Sequence, residues 1–488
     1  MNYPKPASFK TADGFRAHLR VIGASFDLDD AIAPAPDSPL AKPFALRSGR
    51  VVGNRWCVLP MEGWDCRPDG SPSDLMRRRW MRFATGGAKL LFGCEACAVM
   101  ESGRSNTRQL MMTEDSARAL ASILSDMRRA HAEAFGTADD LLVGLQLTHS
   151  GRFSHPHDDA RLEPVTACSN PLLDRKFGCT AADVVRDEEI PAIVGAFGRA
   201  AALARSAGFD FVDVKCAHGY LGHEFLAARD RPGPYGGSFE NRTRFFRECV
   251  GAVRSAAPDL GVAVRFSLFD TIPFEKGPDG VGRPMEIPGV AGPGNYPQAF
   301  GGDGTGLGPD PAMKEAGAFL GLCRDLGVEL VCATAASPYY APHVQRPAYF
   351  PVSDGYLPPE DPMLGVDRQI RAVAQAKAAF PDLAFVSSGL TALQDWLPHV
   401  AQRLVREGLT DFAGYGRMAL AYPGLPADSL RGGPLEKCSI CRTFGDCTTA
   451  PRHGMVSGCY PLDPFYRARP EAVSLRPLRD RGGESPRG

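Results

Sequence analysis

FDFVDVKCAHGYLGHEFLAARDRPGPYGGSFENRTR, residues 209–244, is the stretch whose reading decides the fold. It follows Gly208 and opens with a short apolar, β-favouring run, Phe209, Phe211, Val212 and Val214, that reads as a buried strand. At the end of that strand the composition flips to Lys215, His218 and Tyr220 within six residues. All three side chains give a proton or a hydrogen bond to a bound anion or carbonyl. Ordinary polar capping of a strand end explains one such residue. Three of them beside a glycine, followed by YGGS and ENR, point to a functional site.

Working outward, runs of the same kind recur on both sides. WCVLPMEG begins at Trp56, AKLLFGCEACAV spans 88–99, and further strands are expected over 141–147, 261–269, 329–335, 383–388 and 411–415. Helical spacing of apolar residues fills 74–85, 113–135, 189–207, 240–257, 311–326, 367–380 and 392–407. Thr113 supplies an N-cap to the second of these, with Glu114 and Asp115 in its first turn, where negative charge is favoured. Continuous apolar strands joined by helices mean a parallel sheet covered on both faces. Eight such units fit an α/β (β/α)8 TIM barrel; an open doubly wound sheet is the alternative.

The expected organisation has four parts. Residues 1–50 are an irregular N-terminal extension packing over a later core. Residues 51–430 are the barrel, carrying a Gly/Pro-rich insertion over 271–310 that marks a lid, an interface or a mobile loop. Residues 431–466 are cysteine-rich, and 467–488 read as a polar, disordered tail.

The composition, 44% apolar and 23% charged over 488 residues, is that of a soluble globular protein. A net charge of −1 gives no electrostatic case for nucleic acid or a membrane surface. No apolar run approaches the roughly 18 residues of a membrane-spanning helix. MNYPKPASFKTADGF lacks the apolar core of a signal peptide, so a cytoplasmic location is expected. Of 14 cysteines, four are bunched at Cys438, Cys441, Cys447 and Cys459. In a cytosolic chain such a group reads as ligands of a metal or cluster rather than as disulfides.

In a (β/α)8 barrel the chemistry gathers at the C-terminal ends of the strands. Those positions hold Pro60, Met61 and Glu62; Glu95 and Ala96; Gln146 and His149; Lys215, His218 and Tyr220; Arg265; Ser388 and Gly389; Gly416 and Arg417. The small last two loops let backbone N–H groups approach a phosphate, with Arg417 adding bidentate charge. Gln146 and Arg265 suit the polar edge of a planar ring, where a cationic Arg stabilises developing negative charge. GxSxG, P-loop and HExxH motifs are absent from the sequence.

As a set, NRWCVLPM, EACAV, QLTHSGR, AHGYLGHEFL, YGGSFENRTRF, VRFS and the closing GR resemble the Old Yellow Enzyme (NADH:flavin oxidoreductase) family, from about Asn54 to Pro423. The resemblance implies a (β/α)8 barrel with FMN at its C-terminal face. It implies that NAD(P)H or another donor reduces the flavin, which passes hydride to an activated alkene, or that the enzyme runs oxidatively on amines. By position, Pro60, Met61, Glu62, Ala96, Gln146 and Arg265 are expected around the isoalloxazine ring, and Ser388, Gly389, Gly416 and Arg417 around the phosphate. Tyr220 matches the proton donor. Lys215 and His218 occupy the two places that hold the substrate oxygen.

Two departures stand out. Lys215 replaces the usual His, putting a compact charge on a longer stem and suiting an anionic or strongly polarised carbonyl. Glu62 replaces a small residue, and a carboxylate there disfavours an anionic reduced flavin unless it is protonated or paired.

The cysteine group, C-x2-C-x5-C-x11-C before YPLDPFY, resembles the iron–sulfur-bearing 2,4-dienoyl-CoA reductase / trimethylamine dehydrogenase branch, although its middle gap is longer. It implies a [4Fe–4S] cluster; zinc and free thiols remain alternatives. Without the FAD- and NAD(P)-binding domains of those relatives, such a cluster is expected to serve a redox partner protein or to be structural. The competing readings are an FMN/[4Fe–4S] electron-transfer subunit and a flavin-free binding barrel. The substrate's identity and any homo-oligomer are left open.

Overall fold

The apolar run after Gly208 forms the strand Phe211–Val214, all four residues buried. Val212 pairs in parallel with Leu145 on one side and with Val262 on the other. From Gly261–Ser267 the parallel pairing continues through Leu330–Thr334 and Ala384–Ser387 to Phe412–Tyr415. Ala413 then meets Trp56, and Leu90–Leu91 bridges Trp56–Val58 to Leu142–Thr148, closing an eight-stave barrel. The open-sheet alternative is thereby excluded. This computed structural model describes residues 3–286 and 296–479.

Helices cover the barrel as their apolar spacing requires. In Glu114–Phe135 the buried Leu120, Ile123, Leu124 and Met127 lie on one stripe. The Thr113 hydroxyl accepts from Ser116 N at 3.1 Å, satisfying one orphan donor of the first turn.

The expected strand over 88–99 divides into Leu90–Leu91 and Ala96–Ala98, with Cys94 left-handed (φ 35°) between them. Glu95, in that break, is buried and accepts from Arg79 Nη2 at 2.6 Å, while Asp65 accepts from the same nitrogen at 2.7 Å. The helix expected over 392–407 is interrupted too: a 3-10 segment, Leu390–Trp396, kinks at Gln394 before Leu397–Arg406.

Outside the barrel staves, the expectations for the two termini are corrected and the insertion shows local order of its own. The N-terminal extension contains a helix, Ala12–Ile22, capped by Thr11 and ended by left-handed Gly23. Buried Phe15 stacks on Trp396 at 5.6 Å. The insertion carries an antiparallel pair, Phe274–Lys276 with Gly282–Pro284. It also has a small core of its own, in which Ile272, Phe274, Met285 and Tyr296 pack with Leu172 and Tyr356. Its residues 287–295 lie outside the described residues. The tail begins as a helix, Glu471–Arg479, whose Leu475 packs with Tyr460 and Tyr466; residues 480–488 lie outside the described residues. Among the described residues no helix is long and apolar enough to cross a membrane.

The cysteine-rich segment is fastened beside the barrel mouth. Buried Asp463 pairs with Arg78 (2.9 Å) and Arg82 (2.6 Å), and Trp64 N donates to Ser457 Oγ at 2.7 Å.

Asp270 gives a stability prediction. Its carboxylate accepts from Tyr340 OH (2.6 Å) and Thr271 N (2.8 Å), yet burial pushes it up to about 7. A raised acid contributes stability that is fully present below its unfolded value near 4 and is lost as pH rises through 7. Asp270→Asn is therefore expected to gain on the wild type between pH 4 and pH 7 in urea unfolding. A difference that stays constant over that window would contradict it.

Candidate active site

The strand Phe211–Val214 ends in a sharp turn, with His218 (φ 68°) and Gly219 (φ 75°) both left-handed. A Cβ on Gly219 would lie 2.8 Å from the Tyr340 ring, so only glycine fits there. The turn brings Lys215, His218 and Tyr220 to the wall of one cavity.

Glu62 faces them from the first strand's loop. Lys215 Nζ lies 3.3 Å from Glu62 Oε1 and 3.5 Å above the centre of the Tyr220 ring. Tyr220 OH donates to the same Oε1. Tyr339 OH, 2.7 Å from Tyr220 OH, donates to Oε2 at 3.2 Å. The carboxylate that looks out of place in the sequence is thus paired with an ammonium and two phenols. Tyr339 is held in turn by Phe153, stacked at 4.0 Å and 16°.

Burial sets the protonation states here. It lowers Lys215 to about 8, with Glu62 opposing the shift and Arg265 adding to it. It drives His218 well below its usual value, helped by Arg265 and Lys215, so the imidazole is neutral at pH 7. Gln345 Nε2 donates to His218 Nε2 at 3.2 Å. Tyr220 is raised well above 10 by burial first, then by Glu62 and Tyr339.

Pro60, Met61, Gln146 and Arg265 line the same cavity. Arg265 Nη1 donates to the Pro60 carbonyl at 2.6 Å, while its buried Nε has no partner among the described residues. Behind them Asp213 accepts from Gln146 Nε2 and from Arg265 N (2.5 Å). Burial raises Asp213 to about 6, and those two bonds oppose the rise.

Ser388, Gly389, Gly416 and Arg417 line the cavity as well. Gly389 is left-handed (φ 80°), and a Cβ on Gly416 would meet nothing nearer than Met61 Sδ at 3.7 Å. Ser388 Oγ donates to the Ala333 carbonyl at 2.7 Å. Ala96 is not a lining residue. Its N–H donates to the Met61 carbonyl (3.3 Å) and its own carbonyl accepts from Gln109 (2.9 Å), a layer below the surface.

Other lining residues are not singled out one by one in the sequence. Tyr339, Gln345 and Arg346 come from the aromatic, Pro-rich loop after Leu330–Thr334, a segment whose location after a strand end already places it at the pocket mouth. Cys447, Thr448 and Arg452 come from the cysteine-rich segment, which no local pattern connects to the barrel mouth. Arg346 donates to Thr448 Oγ1 (2.7 Å) and Arg417 to the Pro347 carbonyl (2.9 Å), both neutral acceptors. Burial, then Arg452 and Arg417, lowers Arg346 to about 9.

The four-cysteine metal set is not assembled. Among the described residues no group of three or more His, Cys, Asp or Glu stands in a metal-holding arrangement. Cys441 and Cys459 are buried and Cys447 partly so, and burial followed by the other two thiols raises Cys459. Cys438 is exposed on the turn Lys437–Ser439, its thiol 3.6 Å from Glu436 Oε1.

Comparison with known proteins bears on this geometry. The profile of the NADH:flavin oxidoreductase / NADH oxidase family matches residues 39–285. An NADPH dehydrogenase of Geobacillus sp. (strain WCH70) is 32% identical over 244 residues, 49% of this chain and 65% of that protein. The chain thus spans under two thirds of that relative's length. A putative 12-oxophytodienoate reductase-like protein of Arabidopsis thaliana is 30% identical over 297 residues, 60% of this chain and 73% of that protein. Morphinone reductase superposes with a TM-score of 0.56 at 21% identity, over 82% of this chain and 91% of that one, a likeness of fold.

Proposed function

We propose the following for a chain that belongs to the NADH:flavin oxidoreductase / NADH oxidase family: it is an FMN-dependent oxidoreductase of ene-reductase type. Hydride passes between NAD(P)H and a small substrate whose double bond is conjugated to a carbonyl. One observation carries the reading. A single cavity is lined by Arg265, by the glycines Gly389 and Gly416 with Arg346 and Arg417, and by Lys215, His218 and Tyr220.

The residues present fit FMN. The unpartnered, buried Nε of Arg265 suits the electron-rich edge of an isoalloxazine ring. Arg346 and Arg417, each held by a neutral acceptor, match the charge of a phosphate dianion. Gly389 and Gly416, without side chains, leave backbone N–H groups accessible to that phosphate. Pro60, Met61, Gln146 and Arg265 would hold the ring, with Ala96 beneath Met61, and Ser388, Gly389, Gly416, Arg346 and Arg417 the phosphate. When bound, FMN supplies the hydride chemistry.

The other tasks fall to this chain's side chains. Lys215 and neutral His218 bind the substrate oxygen, Lys215 as a cation that polarises the carbonyl. Tyr220 handles the proton. The groups facing Lys215 are Glu62, Arg265 and Asp213. Because Lys215 titrates near 8, the cation is lost above that pH. The KM for cyclohex-2-enone is expected to rise as pH passes through about 8, and that rise should vanish in Lys215→Met. A wild-type KM that stays flat from pH 7 to 9 would reject the role.

We infer in addition that Cys438, Cys441, Cys447 and Cys459 hold a [4Fe–4S] cluster, with zinc as the alternative. The support is the spacing C-x2-C-x5-C-x11-C, with Cys441 and Cys459 buried and Cys447 on the cavity wall. Exposed Cys438 would have to swing inward. Anaerobically purified protein is expected to show broad visible absorption bleached by dithionite and lost in Cys459→Ser. Colourless protein carrying zinc would reject the cluster. On this reading the enzyme works in the cytoplasm, with NAD(P)H or a redox protein as donor.

A further inference from the structure

We propose that the cavity has a proton-transfer activity separable from hydride transfer: Tyr220, acting with Glu62, exchanges the α-proton of a ketone whose oxygen faces Lys215. The inference rests on the proposed function for the position of the ketone oxygen; the rest comes from the network around Glu62.

A phenol that only donates to substrate needs its O–H free. Here the O–H of Tyr220 already donates to Glu62 Oε1. A hydroxyl whose proton is held by a carboxylate presents its lone pairs to the cavity and acts as an acceptor. The step balances without any oxidant. The bond between the α-carbon and its hydrogen breaks, and that proton goes to Tyr220 Oη. The Tyr220 proton moves to Glu62 Oε1. The C–H electron pair becomes that of an enolate, whose charge rests on the oxygen facing Lys215.

The electrostatics favour this exchange. Before it, the Lys215 ammonium pairs with Glu62 at 3.3 Å; after it, the same ammonium pairs with the enolate and Glu62 is neutral. No charge is created or left unpaired in a buried site, which is the condition for a low barrier there. Tyr339, donating to Oε2 at 3.2 Å and clamped by Phe153, holds the carboxyl in place while Oε1 changes state. Burial first and then Glu62 make Tyr220 hold its proton tightly, so the phenol passes it to Glu62 only as the α-proton arrives.

The test is the loss of the α-proton signals of cyclohexanone in D2O by NMR, with FMN bound and no nicotinamide present. The wild type is expected to exchange them faster than buffer. Glu62→Gln should lower the rate at saturating ketone by roughly 10²-fold, and Glu62→Asp should restore part of it. Flavin absorbance, read on the same samples, monitors FMN separately. Exchange by a chain that holds no FMN would sink the flavin reading and support this one. Wild-type exchange at the buffer rate, or a Glu62→Gln rate equal to wild type, overturns the proposal.

Discussion

Tyr220→Phe is expected to lower the turnover of cyclohex-2-enone with NADPH by roughly 10²–10⁴-fold, the range over which a positioned acid or base acts. The ring stays, so the cation–π contact with Lys215 at 3.5 Å and the tilted packing on Phe153 at 6.0 Å are retained. What is lost is the hydroxyl shared with Glu62 and Tyr339. FMN content and the KM for the enone should therefore change little while kcat falls. A variant that keeps full kcat would remove Tyr220 from the proton path. One that loses FMN would show that the hydroxyl serves the fold.

The second large effect concerns stability. Arg79 lies between Asp65 and Glu95, all three buried, and Glu95 Oε1 also accepts from Gly63 N, the residue after Glu62. Burial raises Glu95 to about 7 despite Arg79. Removing the cation leaves two carboxyls in a dry site, which costs about 3–5 kcal/mol when a buried pair is broken. Arg79→Leu is expected to lower the urea midpoint accordingly. It should also loosen the loop that carries Met61 and Glu62, so FMN affinity should fall with stability. Replacing Asp65, Arg79 and Glu95 together by apolar residues should recover much of the loss, since no charge is then stranded. A single Arg79→Leu variant as stable as wild type would show the triad to be dispensable.

These residues also show how far the sequence could be read. The barrel was legible because its staves are continuous apolar runs: Phe211–Val214 and Leu142–Thr148 are buried along their whole length, and each ends in glycine- or histidine-bearing turns. The break at Cys94 was not legible. It depends on Glu95 turning toward Arg79, sixteen positions away in sequence. The helix Ala12–Ile22 was missed because only Phe15 and Leu19 of its eleven residues are buried, too few to set a helical period.

Within the cavity, residues at strand ends were found because (β/α)8 barrels place chemistry there. Lys215, His218, Tyr220, Gln146, Arg265 and Arg417 all line it. Tyr339 and Arg346 sit in an irregular loop, and Arg452 in a segment folded back over the mouth, so no spacing rule reaches them. The pairing that changes the chemistry, Glu62 with Lys215, joins residues 153 positions apart. The sequence raised the question of that carboxylate, and only tertiary structure answers it.

The claim on which the rest depends is that this cavity holds FMN by Arg265 at one end and by Arg346 and Arg417 at the other. The direct measurement is a fluorescence titration of flavin-free protein with FMN, repeated with riboflavin and with the Arg346→Ala/Arg417→Ala double variant. Saturable, stoichiometric quenching by FMN is predicted, with affinity reduced at least about tenfold for riboflavin and for the double variant, as expected for lost charge-assisted phosphate bonds. Absence of FMN binding to the wild type, or equal affinity for FMN and riboflavin, would contradict the account.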